Sequence, residues 1–240
     1  MMLLFLPSCR DNGSGDNPVA GYAVLQLKTP SGVDFDWKAA PNALVNGVSC
    51  KITLSEGSPA IGVEASSAGE YEIIIPAEPY SRARKCFVLP PVQIPSASGA
   101  ADPRFFPMHA RTDASGEVYL EPLVGIVKIN VKGSGRLMSA YLSAPSLSGT
   151  FGFDGESLSA DSSYPLCPFT VVNAAGNCSG LETSGLYAAV PPGNYSDGIT
   201  VRVTDNNHHV GYASVGAREI KAGDVVEVNV DFAASADILF

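Results

Sequence analysis

Residues Leu186 to Phe232 read LYAAVPPGNYSDGITVRVTDNNHHVGYASVGAREIKAGDVVEVNVDF. Leu186, Ala188 and Val190 alternate with Tyr187 and Ala189 until Pro191, Pro192 and Gly193 stop the run. Ile199, Val201 and Val203 share one side, with Thr200, Arg202 and Thr204 on the other. Val226, Val228, Val230 and Phe232 oppose Glu227, Asn229 and Asp231 in the same way. Successive side chains of a strand point to opposite faces. This alternation between turn clusters therefore predicts half-buried strands with one wet face. Asp205-Asn206-Asn207-His208-His209 lies between Val203 and Val210. Residues of this kind tolerate left-handed backbone, so the segment reads as a hairpin turn rather than a metal site.

The same period runs back through the chain. Val124 to Val131 is apolar on both faces and reads as a central strand. Met138, Ala140 and Leu142, then Leu147 to Phe153, Leu158, and Phe169 to Val172 continue the pattern. Earlier strands are expected at Tyr22 to Lys28, Val48 to Leu54, Ile61 to Val63, Tyr71 to Ile75 and Cys86 to Leu89. Val33, Phe35 and Trp37 share a face, and Pro41 to Gly47 is a turn region. Pro95 to Thr112 is rich in Ser, Gly, Ala and Pro and marks a domain boundary near its end. Phe105-Phe106 within it reads as a plug over the end of a sandwich. No apolar i, i+3, i+4, i+7 stripe persists for three helical turns. The expected fold is all-β: residues 18–112 and 113–233 form two domains in series, each a sandwich or partly open barrel. Residues 1–17 precede them and 234–240 form a short tail.

The composition narrows the function. Charged residues are 16% and hydrophobic ones 45%, which is globular rather than disordered. A net charge of −9 with no basic stripe argues against nucleic acid as a partner. The one tight basic cluster, Arg82, Arg84 and Lys85, reads as a solvated turn. None of the sequence patterns of nucleophile elbows, phosphate loops, dinucleotide folds or zinc proteases occurs, His109 is isolated, and the acidic residues are scattered. No catalytic residues, metal or cofactor are therefore expected, and the protein reads as a non-enzyme. Setting Cys9 aside, Cys50 and Cys86 fall in the first half and Cys167 and Cys178 in the second. Each pair is either a disulfide or two buried thiols packed as small hydrophobes.

The N-terminus resembles a bacterial lipoprotein signal. An apolar run, Met1 to Pro7, ends in Leu6-Pro7-Ser8-Cys9, and the polar stretch Arg10 to Asn17 follows. The resemblance implies cleavage before Cys9 and acylation there, with Arg10 to Asn17 as a tether on the outer membrane. The run itself is far shorter than the roughly 20 residues that span a bilayer.

The second half resembles the fimbrillin-like lipoproteins of Bacteroidetes, through Pro107-Met108-His109-Ala110, Val118 to Val131, Leu147 to Phe151 and Leu186-Tyr187-Ala188-Ala189-Val190-Pro191-Pro192-Gly193. That resemblance implies two tandem transthyretin-like β-sandwiches and a place on the cell surface as a fimbrial anchor, accessory subunit or adhesin. Partners would be other fimbrial subunits, by strand donation, or a host or bacterial surface ligand. Stalk members of the family polymerise after an arginine-directed cut removes an N-terminal strand. Here no arginine lies between Pro18 and Ser81, which argues against that step. Ala233 to Phe240 ends in Ile238, Leu239 and Phe240 and reads as a donor strand or a frayed end. A second reading is a glycan- or ligand-binding lipoprotein of a nutrient-uptake system. Exposed aromatics on one face would favour it, with Trp37, Tyr141, Tyr187, Tyr195 and Tyr212 as candidates.

Overall fold

The computed structural model describes residues 22–64, 69–78, 80–81, 83–90, 93, 99–113, 116–133, 137–143, 150–153, 158–160 and 186–232. The fold is all-β, and among the described residues the regular elements are strands apart from two short 3-10 turns. Eight strands form one sheet in the order Glu121–Pro122, Met108–Thr112, Tyr71–Ile75, Asn42–Val45, Val48–Ser55, Ser58–Glu64, Tyr22–Lys28, Gly116–Tyr119. Its two outermost strands are separated in the chain by Leu120 alone. Leu120 donates its backbone N–H to Lys28 O at 2.9 Å, and the next residue pairs with His109. The sheet must therefore curl until its edges lie on either side of Leu120, which makes it nearly a barrel.

Asn46-Gly47 and Glu56-Gly57 both hold positive φ, 48° and 79° in the first pair and 52° and 84° in the second. Two consecutive left-handed residues make the turn whose twist matches that of antiparallel strands, and each pair closes a tight hairpin. Pro41 to Gly47, expected as a turn, thus contains a strand, Asn42–Val45, and only its last two residues turn. That strand is buried at Ala43, Leu44 and Val45, so it shows no alternation to read. Val48 and Leu54 share a pleat side with buried Cys50 and Ile52 but are exposed, because both ends of the strand run past the core. Met108–Thr112, at the end of the Ser-, Gly-, Ala- and Pro-rich segment where a domain boundary was expected, pairs along Tyr71–Ile75 and buries Met108 and Ala110. Strands Gly116–Tyr119 and Glu121–Pro122 also join this sheet, beyond the residue-112 boundary expected from composition.

Two loops cover one end of the large sheet. Asp36 and Asp102 each begin a 3-10 turn, accepting the N–H of Lys38 and Arg104 at 3.1 and 3.0 Å. Backbone bonds Asp36 N to Ala101 O (2.9 Å) and Ala101 N to Asp34 O (2.7 Å) tie the loops together. Phe35 packs edge-on to Phe106 at 5.5 Å, and both Trp37 and Phe106 are buried. The aromatic pair at 105–106 is a plug, as the sequence suggests.

The rest of the chain builds two facing three-stranded sheets. In one, Gly125–Lys132 is central, antiparallel to Leu186–Val190 and parallel to Val225–Asp231. In the other, Ile199–Asp205 lies between Leu137–Ser143 and Val210–Val215. Val226, Val228, Val230 and Phe232 are buried, as the period-two pattern requires. A four-stranded sheet joins Thr150–Phe153 and Leu158–Ala160 to Cys86–Val88 and Tyr80–Ser81, with Phe87 stacked on Phe151 at 5.6 Å. Buried residues from Ala23 to Phe232 form one connected cluster.

Candidate ligand-binding face

Strands Leu137–Ser143, Ile199–Asp205 and Val210–Val215 have one face in the core and one in water. Ala140, Leu142, Ile199, Val201, Val203 and Gly211 point inward. Gly211 is required where it stands: a Cβ there would lie 2.6 Å from Val230 Cγ1 and 3.0 Å from the Phe232 ring. Its absence lets this sheet settle onto Val225–Asp231.

The register then aligns three outward residues in a row. Tyr141 lies opposite Arg202, and Arg202 opposite Tyr212. Tyr141 is 36% and Tyr212 46% exposed, and Arg202 is exposed between them. The Arg202 guanidinium carbon sits 5.8 Å from the centroid of the Tyr141 ring, within cation–π range. Such cross-strand pairs stabilise a sheet by only ~0.2–1 kcal/mol each. Among the described residues no ion pair engages Arg202. Ser143, Thr200 and Ser214 form the next outward row, and Ser139, Thr204 and Val210 the row on the other side.

The hairpin at the end of this face is held by a buried carboxylate. Asp205 Oδ1 accepts the N–H of Asn207 and of His209, both at 2.9 Å, and His209 Nδ1 is 3.3 Å from Asp205 Oδ2. His208 takes φ 64°. The Asp-Asn-Asn-His-His segment is thus a turn that fixes the pairing of Arg202 with Tyr212. Among the described residues no group of three or more His, Cys, Asp or Glu could hold a metal ion.

Of the five aromatic residues considered, the structure brings Tyr141 and Tyr212 together on one face. Trp37 and Tyr195 are core residues, and Tyr187 is half-buried. The Tyr195 hydroxyl donates to Pro191 O at 2.6 Å, and burial raises its pKa far above the usual phenol value. Cys86 is a buried free thiol, so the Cys50–Cys86 bridge is not formed. The two cysteines belong to different sheets, which separates them. Cys9, Cys167, Cys178, Arg82 and the tail after Phe232 lie outside the described residues. Arg84 and Lys85 are exposed in a turn.

Three important residues are not singled out by the period-two pattern. Arg202 reads as one more polar residue on a wet face until its neighbours on both adjacent strands are known. Gln93 is 2% exposed and spends its whole side-chain amide on Ala189, donating to its carbonyl at 2.9 Å and accepting its N–H at 2.8 Å. It caps the outer edge of Leu186–Val190 as a neighbouring strand would. Asp205 is the third, and an Asp at the head of a turn was its available signal.

A second polar cluster lies on the large sheet. Glu72 meets Arg111 at 3.1 Å, with His109 Nε2 at 3.6 Å, too long for a hydrogen bond. Burial is the main influence on His109 and lowers its pKa. Asn46 grips the neighbouring backbone, donating to Glu70 O at 3.0 Å and accepting Glu72 N–H at 2.7 Å. These bonds are internal to the sheet and leave the cluster a structural one.

No protein-family model matches the chain, and no curated protein matches it. Among the solved structures that share its fold are two cell adhesion candidates. One is a candidate cell adhesion protein from Bacteroides uniformis, 12% identical, with a TM-score of 0.54. The other is a candidate cell adhesion protein from Bacteroides ovatus, also 12% identical, with a TM-score of 0.50. Each match covers 88% of this chain and 93% of the other. At that identity the likeness is one of fold alone.

Proposed function

We propose that the protein is a non-catalytic cell-surface protein of the fimbrillin-like kind, a fimbrial anchor or accessory subunit or an adhesin, held to the outer membrane by lipid on Cys9. One observation carries the reading: along 88% of its length the chain is folded like a candidate cell adhesion protein. The lipobox-like start, Leu6-Pro7-Ser8-Cys9, supports it independently. In this reading residues 1–17 are signal and tether, 234–240 is a tail suited to strand donation, and the two transthyretin-like modules between them part after Pro122, the last residue of the large sheet, rather than at residue 112. With Cys9 acylated and Cys86 free, the disulfide of Cys50 runs to Cys167 or Cys178. A disulfide suits a protein that leaves the reducing cytosol. The exposed row Tyr141, Arg202 and Tyr212 favours a member that contacts a ligand over a purely structural one, whether for attachment or for nutrient capture. Antibody labelling of intact cells tests the reading. Labelling without permeabilisation, with the protein in the outer-membrane fraction, is expected. Labelling only after permeabilisation would overturn it.

A further inference from the structure

We infer that the outward face of strands Leu137–Ser143, Ile199–Asp205 and Val210–Val215 binds a saccharide that carries a carboxylate, with sugar rings against Tyr141 and Tyr212 and the carboxylate on Arg202. The site lies on the protein's second three-stranded sheet, and its biological use rests on the surface location proposed above.

Four observations lead here. The two tyrosines are exposed and flank one guanidinium in strict register across three strands. Adjacent strands are ~4.8 Å apart, so the outer two stand roughly 9–10 Å from one another. That span admits a sugar ring over each tyrosine with a charged group between them. Aromatic rings offer flat apolar surface to the C–H face of a pyranose while their hydroxyls stay wet.

Arg202 supplies the charge preference. It is the only charged residue in the three aligned rows of this face, in a chain of net charge −9. Among the described residues no carboxylate neutralises it, so its planar fork of donors is available to a ligand. A guanidinium binds a carboxylate with two parallel hydrogen bonds, which fixes orientation as well as adding attraction. Cation–π attraction to the Tyr141 ring, 5.8 Å from the guanidinium carbon, restrains Arg202 before a ligand arrives.

The next row completes the recognition. Ser143, Thr200 and Ser214 present three hydroxyls side by side, each able to donate and accept. Sugar hydroxyls have the same dual character, whereas an acyl chain would leave these groups unmatched. A flat, water-facing sheet also suits an extended, weakly bound glycan better than a buried small molecule.

The test uses the purified protein with three probes: 3′-sialyllactose, tetragalacturonate and lactose, by calorimetry or ligand-observed NMR. Saturable binding of one or both acidic saccharides is expected, with lactose weaker by about tenfold or more, since a charge-assisted bidentate contact is lost. The preferred acidic probe tells a sialylated from a uronate-bearing glycan. Arg202→Gln should bring acidic and neutral probes to the same weak affinity, and Arg202→Lys should restore part of the difference. Tyr212→Ala should weaken all probes, and Tyr212→Phe should bind like the native protein. Unchanged melting of Arg202→Gln keeps the comparison free of misfolding. The inference is overturned by equal affinity for lactose and the acidic probes, by no binding of any of the three, or by an Arg202→Gln variant that binds as native. Because the assay uses isolated protein, its outcome is independent of whether intact cells display the protein, and the two proposals fail separately.

Discussion

Gln93 shows how one side chain can complete a sheet. Its amide meets both the N–H and the C=O of Ala189. Gln93→Ala would leave both backbone groups buried and unpaired, and each such group costs about 1–3 kcal/mol. A loss of roughly 2–4 kcal/mol in urea unfolding is expected, whereas a loss below about 0.5 kcal/mol would mean that water reaches this edge freely. His109 is set by burial in the opposite sense from an ion pair. Burial lowers its folded pKa, and the nearby Glu72 and Glu121 only partly oppose Arg111 and that burial. The unfolded chain therefore binds the proton first as pH falls. Stability from this group is complete above about 6.5 and is lost as pH drops from there through the folded value. Unfolding midpoints measured from pH 7.5 to 5 should fall for the native protein, and His109→Gln should flatten part of that slope. A slope unaltered by the substitution would place the titrating group elsewhere.

At the scale of elements, alternation was the most legible signal and its limits are physical. Strands with one wet face, such as Ile199–Asp205 and Val225–Asp231, lie where the period-two pattern puts them. Asn42–Val45 was hidden because three of its four residues are buried on both faces, and Met108–Thr112 because its alternation lasts only five residues within a Pro- and Gly-rich segment. Register was not legible at all. The row Tyr141, Arg202 and Tyr212 joins residues up to 71 positions apart in the chain, and no local pattern connects them. The same holds for the parallel pairing of Gly125–Lys132 with Val225–Asp231. Gly211 lets the ligand-binding sheet seat on its partner sheet. Gly211→Val would force a side chain into Val230 and Phe232, with overpacking worth about 1–3 kcal/mol or more. Thermal unfolding should show a lower midpoint for Gly211→Val, while Gly216→Ala, where a Cβ meets open space, should melt within a degree or so of native.

For the whole molecule, the sheet of Tyr80–Ser81, Cys86–Val88, Thr150–Phe153 and Leu158–Ala160 and the continuous buried cluster tie early and late parts of the chain together. Composition suggested a break near residue 112, but strand pairing across it depends on contacts distant in sequence, which composition does not encode. The cysteines repeat the lesson. An even count and a split between halves left Cys50 and Cys86 as either a disulfide or two buried thiols, and Cys86 is a free, buried thiol. Peptide mapping of the non-reduced protein is expected to join Cys50 to Cys167 or Cys178, and to alkylate Cys86 only after unfolding. A Cys50–Cys86 peptide would contradict the packing described. If lipid at its front end carries this β-built body on the cell surface, as proposed, intact mass of the membrane-extracted protein will reveal it. A polypeptide that begins at Cys9 and carries acyl mass is expected, with a Cys9→Ala variant that is unacylated and leaves the membrane. A native protein of unmodified mass, recovered in the soluble fraction, would contradict it.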